Sequence, residues 1–194
     1  MTSGLRRTGK LFVVSSPSGG GKTTIVGVLL GQARGLVRSV SATTRPPRAG
    51  ERHGSHYRFV SERQFQRLRR TGQLLEWAPV HGAHYGTPRA PVERILAGGC
   101  DVVLSIDVQG ARQIRRRFGA RAVLIFLLPP SLAVLRQRLM RRRTEPLAII
   151  RKRLASAKRE LACVGWYDYA VVNDRVAKAV AQVRAIVEAE RLRV

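Results

Sequence analysis

Apolar and polar positions follow two rhythms along the chain. Mostly apolar runs at 11–15 (LFVVS), 101–106 (DVVLSI) and 122–128 (AVLIFLL) predict buried strands, because a strand covered on both faces has no polar side to show. Between these runs, apolar residues recur at helical spacing over 24–32, 108–118, 131–141, 146–161 and 175–191. Proline at 146 suits the first turn of its helix. Ser61 is placed to cap a helix running to about residue 70, and Pro88 opens another that ends at Gly98-Gly99. Shorter strands are predicted at 37–41, 56–60, 73–80 and 170–172, with the Pro-, Gly- and Arg-rich stretch 42–54 as a loop. Strands alternating with helices imply an α/β fold, a parallel sheet flanked by helices on both faces. Residues 41–89 leave that rhythm and are expected to form an inserted subdomain.

Length and composition narrow the picture. With 194 residues, 44% of them apolar, the chain fits one domain with small insertions around a sizeable core. No run reaches the ~20 apolar residues needed to span a bilayer. The basic N-terminus is followed by no signal-like apolar segment or cleavage site, so a cytoplasmic protein is expected. Cys100 and Cys163 have no close spacing and are expected to be free thiols. The formal net charge of +24 attracts polyanions in general. The basic runs 115–117 and 141–143 lack the interleaved aromatics of a single-strand binding platform, so neither a dedicated nucleic-acid partner nor a membrane is expected.

Candidate chemistry starts between the first strand and the first helix, at Ser16-Pro17-Ser18-Gly19-Gly20-Gly21-Lys22-Thr23-Thr24. This is the phosphate-loop pattern GxxxxGK[ST], with Ser16 in the place of the leading glycine. Glycines let backbone N–H groups converge on phosphate oxygens, and the helix N-terminus adds partial positive charge. Lys22 supplies a full charge for the β- and γ-phosphates of a nucleoside triphosphate, and the Thr23 hydroxyl is a ligand for Mg²⁺. Such a site also needs an acid at the end of a neighbouring strand; Asp107, after VVLSI, fits, and it also suits an N-cap.

The segment SVSATTRPPRAGE (39–51) closely resembles the GMP-binding signature of guanylate kinases. Further matches follow in order: Gly54-Ser-His-Tyr57, Leu75-Glu76-Trp77, Tyr85-Gly-Thr87, Ile106-Asp107, Leu127-Leu-Pro129-Pro130, Arg138 to Arg142, and Val172-Asn173-Asp174. The resemblance spans about residues 10–191 and implies ATP-dependent phosphorylation of GMP, and of dGMP, with Mg²⁺ as cofactor. It implies a P-loop NTPase core at about 10–40, 90–137 and 160–194, a GMP-binding subdomain at about 41–89, and a small lid at about 138–159. It assigns guanine to Ser41, Glu76 and Thr87, and the GMP phosphate to Arg45, Arg48, Tyr57 and Tyr85. Arg138, Arg142 and Arg153 would approach the transferring phosphoryl group from the lid. Asn173 would sit near adenine, and Asp107 on the metal side of the GMP phosphate.

The residue types suit those tasks. A carboxylate accepts both the N1–H and N2–H of guanine, whereas adenine would face it with a lone pair. Arginine's planar fork matches phosphate oxygens. One departure is Ser105, where the family usually carries an acid two positions before the aspartate; a serine can hydrogen-bond to guanine or to a water but brings no charge. Alternatives are a related kinase acting on a phosphorylated sugar, such as a ribose bisphosphate kinase, and a non-enzymatic guanylate-kinase-like binding module. The guanine-reading set argues against the first, and the intact Lys22, Thr23 and Asp107 against the second. The pairs His53/His56 and His81/His84 have metal-compatible spacing, but no acid or cysteine cluster stands beside them in sequence, so no zinc site is expected.

Overall fold

The computed structural model describes residues 8–80, 82–140 and 147–193, the side chains of 147–149 apart. The chain divides into two compact units. One holds the residues up to Leu11, Gly35–Leu104 and Gln109–Ala122; the other holds Phe12–Arg34, Ser105–Val108 and the chain from Val123 onward. A parallel sheet has the strand order β2-β7-β1-β8-β9, where β1 is Leu11–Ser15, β2 Leu36–Arg38, β7 Asp101–Ser105, β8 Ala122–Leu128 and β9 Tyr169–Val172. All five residues of β1 are buried, as are six of the seven in β8, which is why these segments carry no polar alternation.

In the first unit, β2 runs parallel to β7, with Leu36 opposite Asp101. The Asp101 carboxylate accepts from the Lys10 N–H at 2.8 Å. A second, four-stranded sheet has the order β4-β3-β6-β5, from β3 (Ala42–Thr43), β4 (Arg58–Phe59), β5 (Leu74–Val80) and β6 (Ala83–Pro88). Helix α2 (Glu62–Arg70) packs on it through Phe65, which lies with Ala42 and Leu74 in a buried cluster. Ser61 caps α2 as the sequence predicts, and Gln64 completes a reciprocal capping box: Ser61 Oγ accepts from Gln64 N–H at 3.2 Å, and Gln64 Oε1 from Ser61 N–H at 2.8 Å. Helices α3 (Arg89–Ala97) and α4 (Val108–Phe118) complete this part of the chain.

In the second unit, β8 runs parallel to β9, with Ile125 opposite Tyr169. Helix α1 (Lys22–Gln32) packs against α7 (Val176–Leu192). Helices α5 (Leu132–Met140) and α6 (Leu147–Leu161) bury Leu135, Leu139, Ile150 and Ala157 together.

The structure corrects several expectations. The stretch 42–54 is not all loop, because Ala42–Thr43 form β3. Strand β6, in a segment read as carrying no strand, is paired on both sides, with Thr43 opposite Tyr85 and Glu76 opposite Thr87. Its composition hides it: Gly86 and Pro88 are poor strand formers. Gly86 is needed because a Cβ there would come within 3.2 Å of the Phe65 ring and 3.0 Å of Leu74 Cδ1. Helix α1 begins at Lys22, two residues before its expected start. No disulfide joins Cys100 and Cys163. No described helix is long and apolar enough to cross a membrane.

Candidate active site

The loop between β1 and α1 is held by its own backbone. Gly20 N–H donates to Pro17 O at 2.8 Å, and the Lys22 ammonium donates to Ser16 O at 3.2 Å. Gly19 and Gly21 adopt φ of 85° and 93°, which favour glycine. Ser16, where the motif usually has glycine, is buried and turns its hydroxyl onto Pro17 O at 3.0 Å. It fits because Gly20 has no side chain; a Cβ at Gly20 would stand 2.8 Å from that of Ser16. Residues Ser16 to Thr24 line a cavity of about 190 Å³. Gly21 caps α1 without any side-chain acceptor, so the first N–H groups of the helix face this cavity as anion donors.

Asn173 secures the loop from below. Its Nδ2 donates to Gly20 O at 2.8 Å, and its backbone oxygen accepts from Arg138 at 2.9 Å. Asn173 is 3% exposed, so this side chain is part of the loop's support. A Cβ at Gly21 would strike its Nδ2. Gly21→Ala therefore combines a left-handed backbone with a clash, and is expected to lower stability by about 1–3 kcal/mol, read as a drop in Tm.

Burial pushes the Lys22 pKa down, and the Asp107 and Glu160 carboxylates oppose that shift. Glu160, near the end of α6, is itself raised by burial; the charge on Lys22 and a hydrogen bond from the Ser18 N–H pull it back. Sequence reasoning assigned Glu160 no role. Its signal was position: it lies seven residues after Arg153, on the same face of α6. Arg153 is buried at 8% exposure. Arg142 lies outside the described residues, as does His81. Thr23 and Thr24 are exposed at the start of α1, and Ser105 and Asp107 are half-buried at the end of β7. The hydroxyl and carboxylate oxygens of Thr23 and Asp107 are the hard donor type Mg²⁺ takes.

The guanine candidates of the first unit, with Arg45, Tyr57 and Tyr85, gather on one face of the four-stranded sheet. Thr87 Oγ1 donates to Glu76 Oε1 at 2.5 Å, with Thr87 and Glu76 only 0% and 3% exposed. Ala42 pairs with Gly86, and Ser41, the residue before β3, falls by alternation of faces on the side of Thr87 rather than of Gly86. Ser41, Thr87 and Glu76 thus form a row across β3, β6 and β5. A register shift between Leu74 and Glu76 lets Leu74 enter the α2 core while Glu76 turns to the other face.

Two residues along β6, Tyr85 shares the face of Thr87 and packs edge-on against Tyr57, centroids 5.9 Å apart. Arg45 Nε donates to the Tyr85 hydroxyl at 3.1 Å, and its guanidinium lies 5.5 Å from the Tyr57 ring centre. Glu51 holds the same guanidinium through two bonds of 2.9 Å. That pairing sets Arg45 above, and Glu51 below, its ordinary pKa. Arg48 is exposed in the loop and gives its N–H to Glu51 at 2.8 Å. Glu51 as the clamp of Arg45 was missed in the sequence, as was Arg38. Arg38 places a charge near Tyr57, and its Nε is buried without a hydrogen bond. Of the histidines, His84 stacks on Phe65 at 5.3 Å and faces Glu62, and His56 Nδ1 accepts from Arg52 N–H at 3.1 Å. No cluster of three metal-ligating side chains occurs among the described residues.

A phosphate loop between the first strand and first helix of a parallel α/β sheet defines a P-loop nucleotide-binding protein. The sequence profile of the guanylate kinase family matches residues 8–190. A guanylate kinase of Chelativorans sp. is 50% identical over 189 residues, covering 97% of this chain and 87% of the relative. One of Sphingopyxis alaskensis is 48% identical, covering 97% and 86%. The crystal structure of guanylate kinase from Anaplasma phagocytophilum superimposes with a TM-score of 0.82 at 34% identity, covering 97% of this chain and 89% of that one. The chain belongs to the guanylate kinase family.

Proposed function

We propose a residue-level account of the phosphorylation of GMP by ATP that family membership assigns to this chain. Glu76 accepts the N1–H and N2–H of guanine, and Ser41 and Thr87 serve the O6 edge. Arg45, Arg48, Tyr57 and Tyr85 take the GMP phosphate, with the Arg45 fork oriented beforehand by Glu51. Residues Ser16 to Thr24 cradle the ATP phosphates, and Lys22 neutralises charge at the β- and γ-oxygens. Thr23 and Asp107 would hold Mg²⁺, partly through water; the ion would offset charge on the ATP phosphates. Asn173 supports the loop near the adenine end. Arg138, Arg142 and Arg153 would stabilise the phosphoryl group in transfer, where catalysis is mostly positioning and electrostatics. In this reading residues 41–89 bind GMP, and 138–159 act as a lid.

The observation that carries the reading is the buried Glu76 carboxylate. A buried charge is costly unless its partners hold it, and the row from Ser41 to Glu76 matches the donor and acceptor edge of guanine. The reading extends to dGMP, because no assigned group addresses the ribose. An ADP-release assay over a panel of nucleoside monophosphates tests it. GMP and dGMP should be turned over far faster than AMP, CMP or UMP, and equal rates on AMP and GMP would sink the guanine assignment. Chelating divalent cations should abolish turnover, and Mg²⁺ should restore it.

Ser105 gives a finer test. A hydrogen bond to a charged group contributes about 1.5–3 kcal/mol, against about 0.5–1.5 for a neutral one. Ser105→Asp should therefore tighten GMP binding by about 1 kcal/mol, roughly fivefold, and leave ATP affinity nearly unchanged. Calorimetric titration reads both, and weaker GMP binding in the variant would take Ser105 off the guanine contacts.

A further inference from the structure

The four-stranded sheet has a second face, turned away from the Ser41–Thr87–Glu76 row. Ala42, Gly86 and Leu74 belong to it, and Phe65 of α2 packs against them. Beside that packing, a cavity of about 530 Å³ opens between α2, the β3–β4 pair and the start of α3. Small-molecule pockets span ~300–1,000 Å³, so the space is of ligand size. Ala42, Val60 and Leu68 give it an apolar floor. Arg58, Arg67 and Arg89 stand around it, and no carboxylate lines it.

None of these three side chains makes an ion pair or a side-chain hydrogen bond among the described residues. The Nε of Arg89 is buried without an acceptor. Three like charges around one cavity repel one another, and a buried charged donor without an acceptor costs free energy. An anion in the cavity relieves both. Guanidinium forks favour a phosphate, which offers several oxygens at once, and the apolar floor favours a ligand with a hydrophobic or planar body.

We propose that this cavity is a second ligand site, taking a small phosphate monoester whose apolar body lies on the Ala42–Val60–Leu68 floor and whose phosphate is held by Arg58, Arg67 and Arg89. The site goes beyond the kinase reading. Its independence from GMP rests on that reading in one respect: Glu76 and Thr87 face GMP on the opposite side of the sheet. Because adjacent residues of a strand point to opposite faces, the two ligands bind together without competing.

Phenyl phosphate is the probe, with inorganic phosphate and phenol as its two halves. The full chain, saturated with GMP and ADP, is titrated calorimetrically with each. Phenyl phosphate should bind one equivalent at least about tenfold more tightly than either half, since only it engages both floor and forks. Arg58→Ala and Arg67→Ala should each weaken that binding by about fivefold or more while GMP phosphorylation is unchanged. Both side chains are exposed, so their loss leaves the fold intact. Binding that disappears when GMP is saturating, binding unaltered in both variants, or no binding beyond that of inorganic phosphate overturns the proposal. GMP titrated alone into the native chain and into Glu76→Gln reports on the base-reading row separately, so a failure there is distinguishable from a failure here.

Discussion

Replacing Lys22 by alanine is expected to lower kcat by ~10²-fold or more while the protein stays folded. A hundredfold loss corresponds to about 2.7 kcal/mol of transition-state stabilisation, the size of effect seen when one preorganised charge or donor is removed from a transferring group. The ammonium stands at the phosphate loop, within 3.2 Å of Ser16 O, and no other cation belongs to that loop. Binding of ATP should weaken less than turnover, because charge builds up most strongly on the phosphoryl group in flight. The fold should tolerate the change. Burial already depresses the Lys22 pKa, so the folded protein carries a cost for that charge, which alanine removes. Lys22→Arg should rescue little, since a planar fork does not reproduce a compact ammonium at the same reach. Steady-state rates and calorimetric unfolding on the same preparations read the two effects. A variant with native Tm and near-native kcat would remove Lys22 from the catalytic set.

Glu76→Gln is expected to lower kcat/KM for GMP by ~10²-fold and to shrink the preference for GMP over AMP by a similar factor. The carboxylate offers two acceptor oxygens to the two guanine donors. The amide keeps one acceptor, which Thr87 Oγ1 already engages, and turns an N–H₂ toward guanine where a lone pair is required. Donor then meets donor in a buried site, and each unmatched group costs about 1–3 kcal/mol. AMP loses less, because its unprotonated N1 is an acceptor and meets the new N–H₂ favourably. Initial rates with both monophosphates, at fixed ATP and Mg²⁺, decide it. An unchanged ratio of kcat/KM values would mean that the base is read elsewhere.

Of the fold, the parts legible in the sequence are those fixed by local chemistry. The mostly apolar runs of β1, β7 and β8 mark strands covered on both faces, and Ser61 marks the start of α2 by offering the acceptor that its first N–H groups lack. The phosphate loop was equally legible, because only glycine tolerates φ of 85° and 93° at Gly19 and Gly21. Strand β6 was not. One of its two partners, β3, lies about forty residues away, and its glycine answers to the ring of Phe65 rather than to any neighbour in sequence. The alternation of the core strands with helices and the glycine-rich phosphate loop were therefore legible in the sequence alone, since each rests on backbone preferences and side-chain types that act within a few residues. Tertiary structure decided which groups became neighbours. Pairing β3, β6 and β5 lined up Ser41, Thr87 and Glu76, closing the loop after Arg45 brought Glu51 onto its guanidinium, and the packing of α6 set Glu160 beside Lys22 and Ser18. Contacts of that kind depend on registers between distant strands and on the angle at which a helix packs, and both are settled only when the whole core closes.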